Sequence, residues 1–302
     1  MTAKPKEFAQ NWRKIKKPFG RFSKLLAPLR RGIDIEQIEI VITTKCTLKC
    51  KHCAHLIPYY RFMNEGQYEI HSDLNELLKT IEAFLESIDK VKIFRVLGGE
   101  PFWHPDLIQI LEPLKATRKI KRLEVVTNAT IVPSKEVLQS LITENLFVRI
   151  SNYGTLSPKQ GELIEALVSN DVHYSIHDCL KNKWGDLGEI HKRNRSETDL
   201  KEVYSKCTAR TIFLIFDGKL YPCGRSPHSI KMGISPADDF CVDLINDSRE
   251  SIREQIKSLK TLKYMKACDH CDGRRCGQNY KEIEPAIQFN SEEMKQFSLE
   301  RQ

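Results

Sequence analysis

Apolar residues follow two rhythms along the chain. From residue 36 onward, short apolar runs alternate with stretches in which apolar positions recur every three or four residues. Glu39–Thr43, Lys92–Leu97, Leu123–Thr127, Phe147–Ser151, Val172–Ile176 and Ile212–Phe216 read as strands. Between the first two, Asp73–Ile88 puts Leu74, Leu77, Leu78, Ile81, Phe84, Leu85 and Ile88 on one helical face, with Asp73 and Glu76 as its N-cap pair. Asp106–Lys115, Ser134–Ile142 and Pro158–Ser169 carry the same helical period. This alternation predicts parallel strands with helices outside, and six such strands suggest a partial (β/α)6 TIM-like barrel. Functional residues should then gather at the strand C-termini. Residues 178–206 break the rhythm and read as a loop or irregular helical insertion.

The head has a different pattern. Phe8, Trp12, Ile15, Phe19, Phe22, Leu26 and Leu29 are spaced alternately by four and three, an amphipathic helical stripe that Pro18 divides in two. The expected organisation is a basic amphipathic arm over residues 1–35, a barrel over 36–206, a cysteine-bearing module over 207–285 and a charged, frayed or helical tail over 286–302.

Charge sharpens this division. The 302 residues carry a net charge of +8, which suggests nucleic acid until it is localised. Residues 1–31 hold ten basic residues against one acid, Glu7, whereas the rest of the chain holds 38 basic and 39 acidic residues. The body is neutral, so no nucleic-acid partner is expected. The arm suits an anionic membrane surface, with its apolar stripe in the interface and its cations at the headgroups. The equal alternative is a cap packed on the barrel. No apolar run is long enough to span a bilayer and no export signal is read, so the expected location is cytoplasmic, peripheral at the inner membrane face if the arm binds there.

Ten cysteines without an export signal favour metal or redox chemistry over disulfides. Cys46, Cys50 and Cys53 form C-x3-C-x2-C directly after the first strand. Three thiolates are one short of the set that closes an iron–sulfur cube, leaving one iron open to a ligand. The alternative is a zinc loop completed by His52 or His55. Gly98-Gly99-Glu100-Pro101 ends the second strand: the glycines permit close approach of a ligand, and Glu100 offers a carboxylate suited to an amino group. Its plainer reading is a turn. Cys207 and Cys223 flank a hairpin, Ile212–Phe216 and Lys219–Tyr221, turned at Asp217-Gly218. Cys268, Cys271 and Cys276 follow, and two of them can complete a four-cysteine set, with a zinc ribbon as the alternative.

The three-cysteine loop and the Gly-Gly-Glu-Pro element, in this order and place, resemble the radical S-adenosylmethionine (SAM) superfamily over about residues 36–225. The resemblance implies that Cys46, Cys50 and Cys53 hold a 4Fe–4S cluster whose open iron is chelated by SAM. The reduced cluster then yields a 5′-deoxyadenosyl radical that abstracts hydrogen from substrate. It implies His52 near the adenine and Gly98, Gly99 and Glu100 at the methionine amino end. Asn128 (after Thr127), Ser151 and Asn152 are candidate cofactor contacts, and Arg149 a candidate catalytic or SAM-binding residue. The second set resembles the SPASM/Twitch extension. Five motif cysteines rather than seven imply the shorter Twitch form, with one auxiliary 4Fe–4S cluster on Cys207, Cys223, Cys268 and Cys271, and Cys276 as an alternative ligand.

Spacing and size resemble the deoxy-scyllo-inosamine dehydrogenase and aminoglycoside epimerase branch. That implies a sugar, cyclitol or glycan-precursor substrate, oxidised with help from the auxiliary cluster, and a flavodoxin- or ferredoxin-type electron donor. An epimerase using a cysteine hydrogen donor, with Cys179 and Cys241 among the spare cysteines, and a peptide-modifying maturase are alternatives. An iron–sulfur carrier or sensor is the non-enzyme reading. Tyr59, Tyr60, Arg61, Trp103 and His104 are candidate walls of the substrate site.

Overall fold

The computed structural model describes residues 32–62, 69–237, 240–274 and 281–294. The arm expected over residues 1–35 lies outside the described residues up to position 31, and so does Cys276.

Five parallel strands, β1 (Asp34–Val41), β2 (Lys90–Leu97), β3 (Ile120–Thr127), β4 (Leu146–Asn152) and β5 (Tyr174–Asp178), lie side by side in chain order. The sixth strand of the alternation, β7 (Ile212–Phe216), is parallel too, but it pairs with β1 and not with β5. The antiparallel β8 (Lys219–Tyr221) and β9 (Val242–Asp243) extend the sheet beyond it, giving the order β5-β4-β3-β2-β1-β7-β8-β9. The result is a mostly parallel α/β sheet of partial TIM-like architecture. The break in rhythm after residue 178 explains β7: no simple crossover returns the chain beside β5. Instead β6 (Trp184–Gly185) pairs with β10 (Glu282–Ile283), and a regular helix, Glu197–Lys206, follows behind a Ser196/Asp199 capping box.

Strand alternation sorts the two faces. Ile38, Ile40, Phe94, Val96, Leu123, Val125, Val148 and Ile150 are fully buried on the outer face. They pack against Ile81 and Phe84 of the helix Leu74–Ser87, Ile110 and Leu114 of Leu107–Ala116, and Leu163 and Leu167 of Gln160–Ser169. Each such side chain removed from water contributes about 1.5–3 kcal/mol. The expected cap is present, with Asp73 Oδ1 accepting from Glu76 N at 3.0 Å. β1 starts five residues earlier than its apolar run because Asp34, Glu36 and Gln37 alternate with buried Ile35 and Ile38.

The inner face is charged. Glu39, Arg95 and Glu124 are register neighbours on β1, β2 and β3. Arg95 Nε and Arg122 Nε meet Glu124 at 2.7 and 2.6 Å, Arg95 Nη1 meets Glu39 at 3.4 Å, and His55 Nε2 lies 3.2 Å from Glu39. Burial alone would raise Glu39, but the bond to His55 and the charges of His55 and Arg95 outweigh it and hold the carboxyl below its usual range.

The β7–β8 hairpin forms as expected. Asp217 and Gly218 sit at φ of 53° and 70°, the positive pair that a two-residue primed turn needs. No helix among the described residues is long and apolar enough to cross a membrane.

Candidate active site

The loop after β1 brings the first three sulfurs to the strand C-termini. Cys46, Cys50 and Cys53 line a cavity of about 280 Å³. Backbone and side-chain donors are already aimed at two of the sulfurs: Leu48 N lies 3.4 Å and Asn128 Nδ2 3.7 Å from Cys46 Sγ, and Gln288 Nε2 lies 3.3 Å from Cys50 Sγ. Arg61 Nη2 fixes the loop by donating to Cys46 O at 2.8 Å. Burial pushes the Cys46 thiol up to about 12 and raises Cys50 and Cys53 as well. Thiols whose ionisation burial disfavours suit a site where metal replaces their protons.

Facing them are the ends of β2, β3 and β4. Gly98 and Gly99 reach the cavity because they press on the chain just before Cys46: Gly99 N donates to Thr43 O at 2.8 Å and Glu100 N to Lys45 O at 2.9 Å. A Cβ on Gly99 would fall 1.8 Å from Lys45 O, and one on Gly98 2.3 Å from Thr43 O. Asn128 and Ser151 line the cavity too, and His52 closes another side. Asn128 is held by its bonds to Thr47 Oγ1 at 3.0 Å and Thr130 Oγ1 at 2.6 Å.

Three other candidates stand elsewhere. Glu100 is completely buried and does not line the cavity. Its Oε1 accepts from Thr127 Oγ1 at 2.9 Å and Phe102 N at 3.2 Å, and its Oε2 from Asn128 N at 2.9 Å. Burial pushes this carboxyl up to about 7. Only the backbone of the Gly-Gly-Glu element is presented to a ligand. Asn152 Oδ1 accepts from Gly154 N at 2.9 Å and shapes the turn after β4. Arg149 lies on the inner face opposite Ser175, below the cavity wall, and burial followed by the charge of Arg95 lowers its pKa. Tyr60 and His104 are buried, Tyr60 bonding His228 Nδ1 at 2.9 Å and His104 Nδ1 accepting from Asp106 N at 3.1 Å.

The second cysteine set also comes together. Cys207, Cys223, Cys268 and Cys271 line one cavity, with Tyr204 and Met265 as its apolar wall. Arg274 N, Arg225 N and Gly273 N approach Cys207, Cys223 and Cys271 Sγ at 3.4, 3.4 and 3.3 Å. Burial pushes Cys223 up to about 11 and raises Cys268 and Cys271. The polar loop 186–195 holds this set in place: Arg195 Nη1 donates to Cys268 O and Cys271 O at 2.8 and 2.7 Å, and Arg193 Nε pairs with Asp272 at 2.7 Å.

His55, which the zinc-loop alternative would use, is turned to Glu39. A cube differs, since each cysteine takes its own iron. Both sets fit such a group: three or four thiols line each cavity, and N–H donors already meet Cys46, Cys50, Cys207, Cys223 and Cys271.

Comparison with known proteins agrees at the level of the domain. Residues 40–152 match the Radical SAM superfamily. The matched stretch runs from the end of β1 to the end of β4 and includes the three-cysteine loop and the glycine pair. A probable GTP 3′,8-cyclase of Methanococcus maripaludis is 32% identical over 141 residues, covering 45% of this chain and 42% of its own. The chain spans less than half of the length of the curated relatives it matches. Among solved structures, anSMEcpe with bound AdoMet and Cp18Cys peptide has 12% identity and a TM-score of 0.48, covering 90% of this chain and 98% of that one. BtrN in complex with AdoMet and 2-DOIA has 14% identity and a TM-score of 0.41, covering 84% and 97%.

Sequence reasoning missed Gln288, Arg193, Arg195 and Arg225. Each acts through hydrogen bonds or charge to a loop distant in sequence, which leaves no periodic trace.

Proposed function

We propose that this chain is a radical SAM enzyme with one auxiliary 4Fe–4S cluster. The observation that carries the reading is the single cavity with Cys46, Cys50 and Cys53 on one wall and Gly98, Gly99, Asn128 and Ser151, at the ends of three parallel strands, on the other. Cys46, Cys50 and Cys53 would hold the cluster that binds SAM, and the bound pair supplies a 5′-deoxyadenosyl radical for hydrogen abstraction. The Gly98-Gly99 backbone would take the amino end of the methionine portion. Asn128 and Ser151 would take its other polar groups, and His52 would border the adenine. Cys207, Cys223, Cys268 and Cys271 would hold the auxiliary cluster, which accepts the second electron when substrate is oxidised. A sugar, cyclitol or glycan precursor is the proposed substrate, and a flavodoxin- or ferredoxin-type protein the proposed donor.

The test is anaerobic incubation of the reconstituted, reduced chain with SAM. Formation of 5′-deoxyadenosine is expected, and its absence would leave the carrier or sensor reading. Iron near eight per chain is expected, from two four-iron clusters.

One observation favours a second outcome of the same radical. Cys179 is buried just after β5, where hydrogen bonds to Tyr153 and Trp184 reach its thiol, and both of those residues line the cavity. In this reading the thiol, behind Tyr153 and Trp184, would return a hydrogen atom, as an epimerase needs. Turnover in deuterium oxide separates the two: solvent deuterium in an isomeric product marks epimerisation, and a ketone without it marks oxidation.

A further inference from the structure

One guanidinium stands between the two cysteine sets. Arg225 follows Cys223 by two residues and is only 9% exposed. Its Nη2 donates to Gly188 O at 3.1 Å, but its Nε is buried and finds no partner among the described residues. A buried cation is costly unless an opposite charge answers it, and no carboxylate among the described residues pairs with this one. It lines the second cavity together with Cys207, Cys223, Cys268 and Cys271. Gly188, whose carbonyl it reaches, follows Leu187, which lines the first cavity with Cys46, Cys50 and Cys53. The backbone repeats this geometry. Arg225 N meets Cys223 Sγ at 3.4 Å, and the preceding Gly224 passes so close to His55, two residues beyond Cys53, that a Cβ there would lie 3.1 Å from His55 Nε2. The segment Cys223–Arg225 is thus a wedge with one cysteine loop on each side.

We propose that Arg225 is the shared counter-cation of the two clusters: a positioning residue that sets both reduction potentials together. The proposal rests on the reading that both cysteine sets bind 4Fe–4S clusters. Thiolate-ligated clusters are anionic and supply the charge that Arg225 lacks among protein groups. A fixed positive charge beside a cluster favours the form carrying the added electron, so it raises the potential. One guanidinium between two clusters raises both, and keeps one-electron reduction accessible at each.

The test is an EPR-monitored redox titration of the reconstituted full chain without SAM, the Cys46/Cys50/Cys53→Ala variant assigning the auxiliary signal. In Arg225→Gln both potentials are expected to move to more negative values with the iron content unchanged, and in Arg225→Lys both should return toward wild type. Movement of one potential alone, or of neither, overturns the proposal. If Arg225→Gln does not keep its iron, Arg225→Lys decides. Two clusters with both potentials near wild type support a role for the charge, and loss of either cluster from the lysine variant overturns it. A wild-type chain that takes up one cluster or none refutes the functional reading instead.

Discussion

The carboxylate of Glu100 and the hydroxyl of Thr127 meet at 2.9 Å, tying the end of β2 to the end of β3 behind the cavity wall. The folded chain keeps the Glu100 proton up to about pH 7, whereas the unfolded chain releases it near 4.5. The folded form therefore binds more protons between these values, and stability from this group is full below pH 4.5, declines as the pH rises to about 7 and is level above. The expected decline is about 3 kcal/mol. Denaturant unfolding of the metal-free chain at pH 5 to 8 should show it, and Glu100→Gln should flatten the profile. A wild-type profile parallel to that of the variant would remove this assignment.

Gly99 leaves no room for a methyl group. Gly99→Ala should cost at least about 1–3 kcal/mol through backbone displacement and should lower the iron taken up by the first cysteine set. Thermal melts and iron assays read both effects. Wild-type values in both would mean that the β2 end does not press on the Lys45 backbone as described.

Gln288 bonds the cysteine loop twice, through Nε2 to Cys50 Sγ and through Oε1 to Lys49 N at 2.6 Å. Loss of an outer partner of a metal ligand typically costs about 10–100-fold in affinity. Gln288→Ala should therefore lose iron to a chelator at least about tenfold faster from the first cluster, with the auxiliary signal unaffected. Equal rates of loss would make the contact ornamental.

Cys271 lies with Cys207, Cys223 and Cys268 in one cavity. Cys271→Ala is expected to abolish the auxiliary EPR signal, and Cys276→Ala to spare it. The reverse result would assign the fourth ligand to Cys276.

Much of this was legible in the sequence, because it is written locally. The period of the apolar residues marks β2, β3, β4 and β7 within a few residues, and the Asp217-Gly218 turn brings Cys207 and Cys223 together. Motif spacing likewise marks the loop of Cys46, Cys50 and Cys53. Pairings between distant strands are not written that way: nothing near Ile212–Phe216 says that its neighbour is β1. Nor does a residue type reveal whether its polar atoms are already engaged. Glu100 and Asn152 look like ligand contacts in sequence, yet their oxygens are taken by Thr127, Phe102, Asn128 and Gly154.

The first residues of the tail, 286–290, are built into the site. Lys51 N donates to Ile287 O and Phe289 N to Lys49 O, each at 2.8 Å. Gln288 is made 238 residues after Cys50, so the ribosome finishes the cysteine loop long before the segment that covers it. Throughout translation the first three sulfurs have no such cover. It can close only once Gln288 has left the exit tunnel. A chain stopped short of Gln288 would carry the three cysteines without the side chain that bonds Cys50 and Lys49.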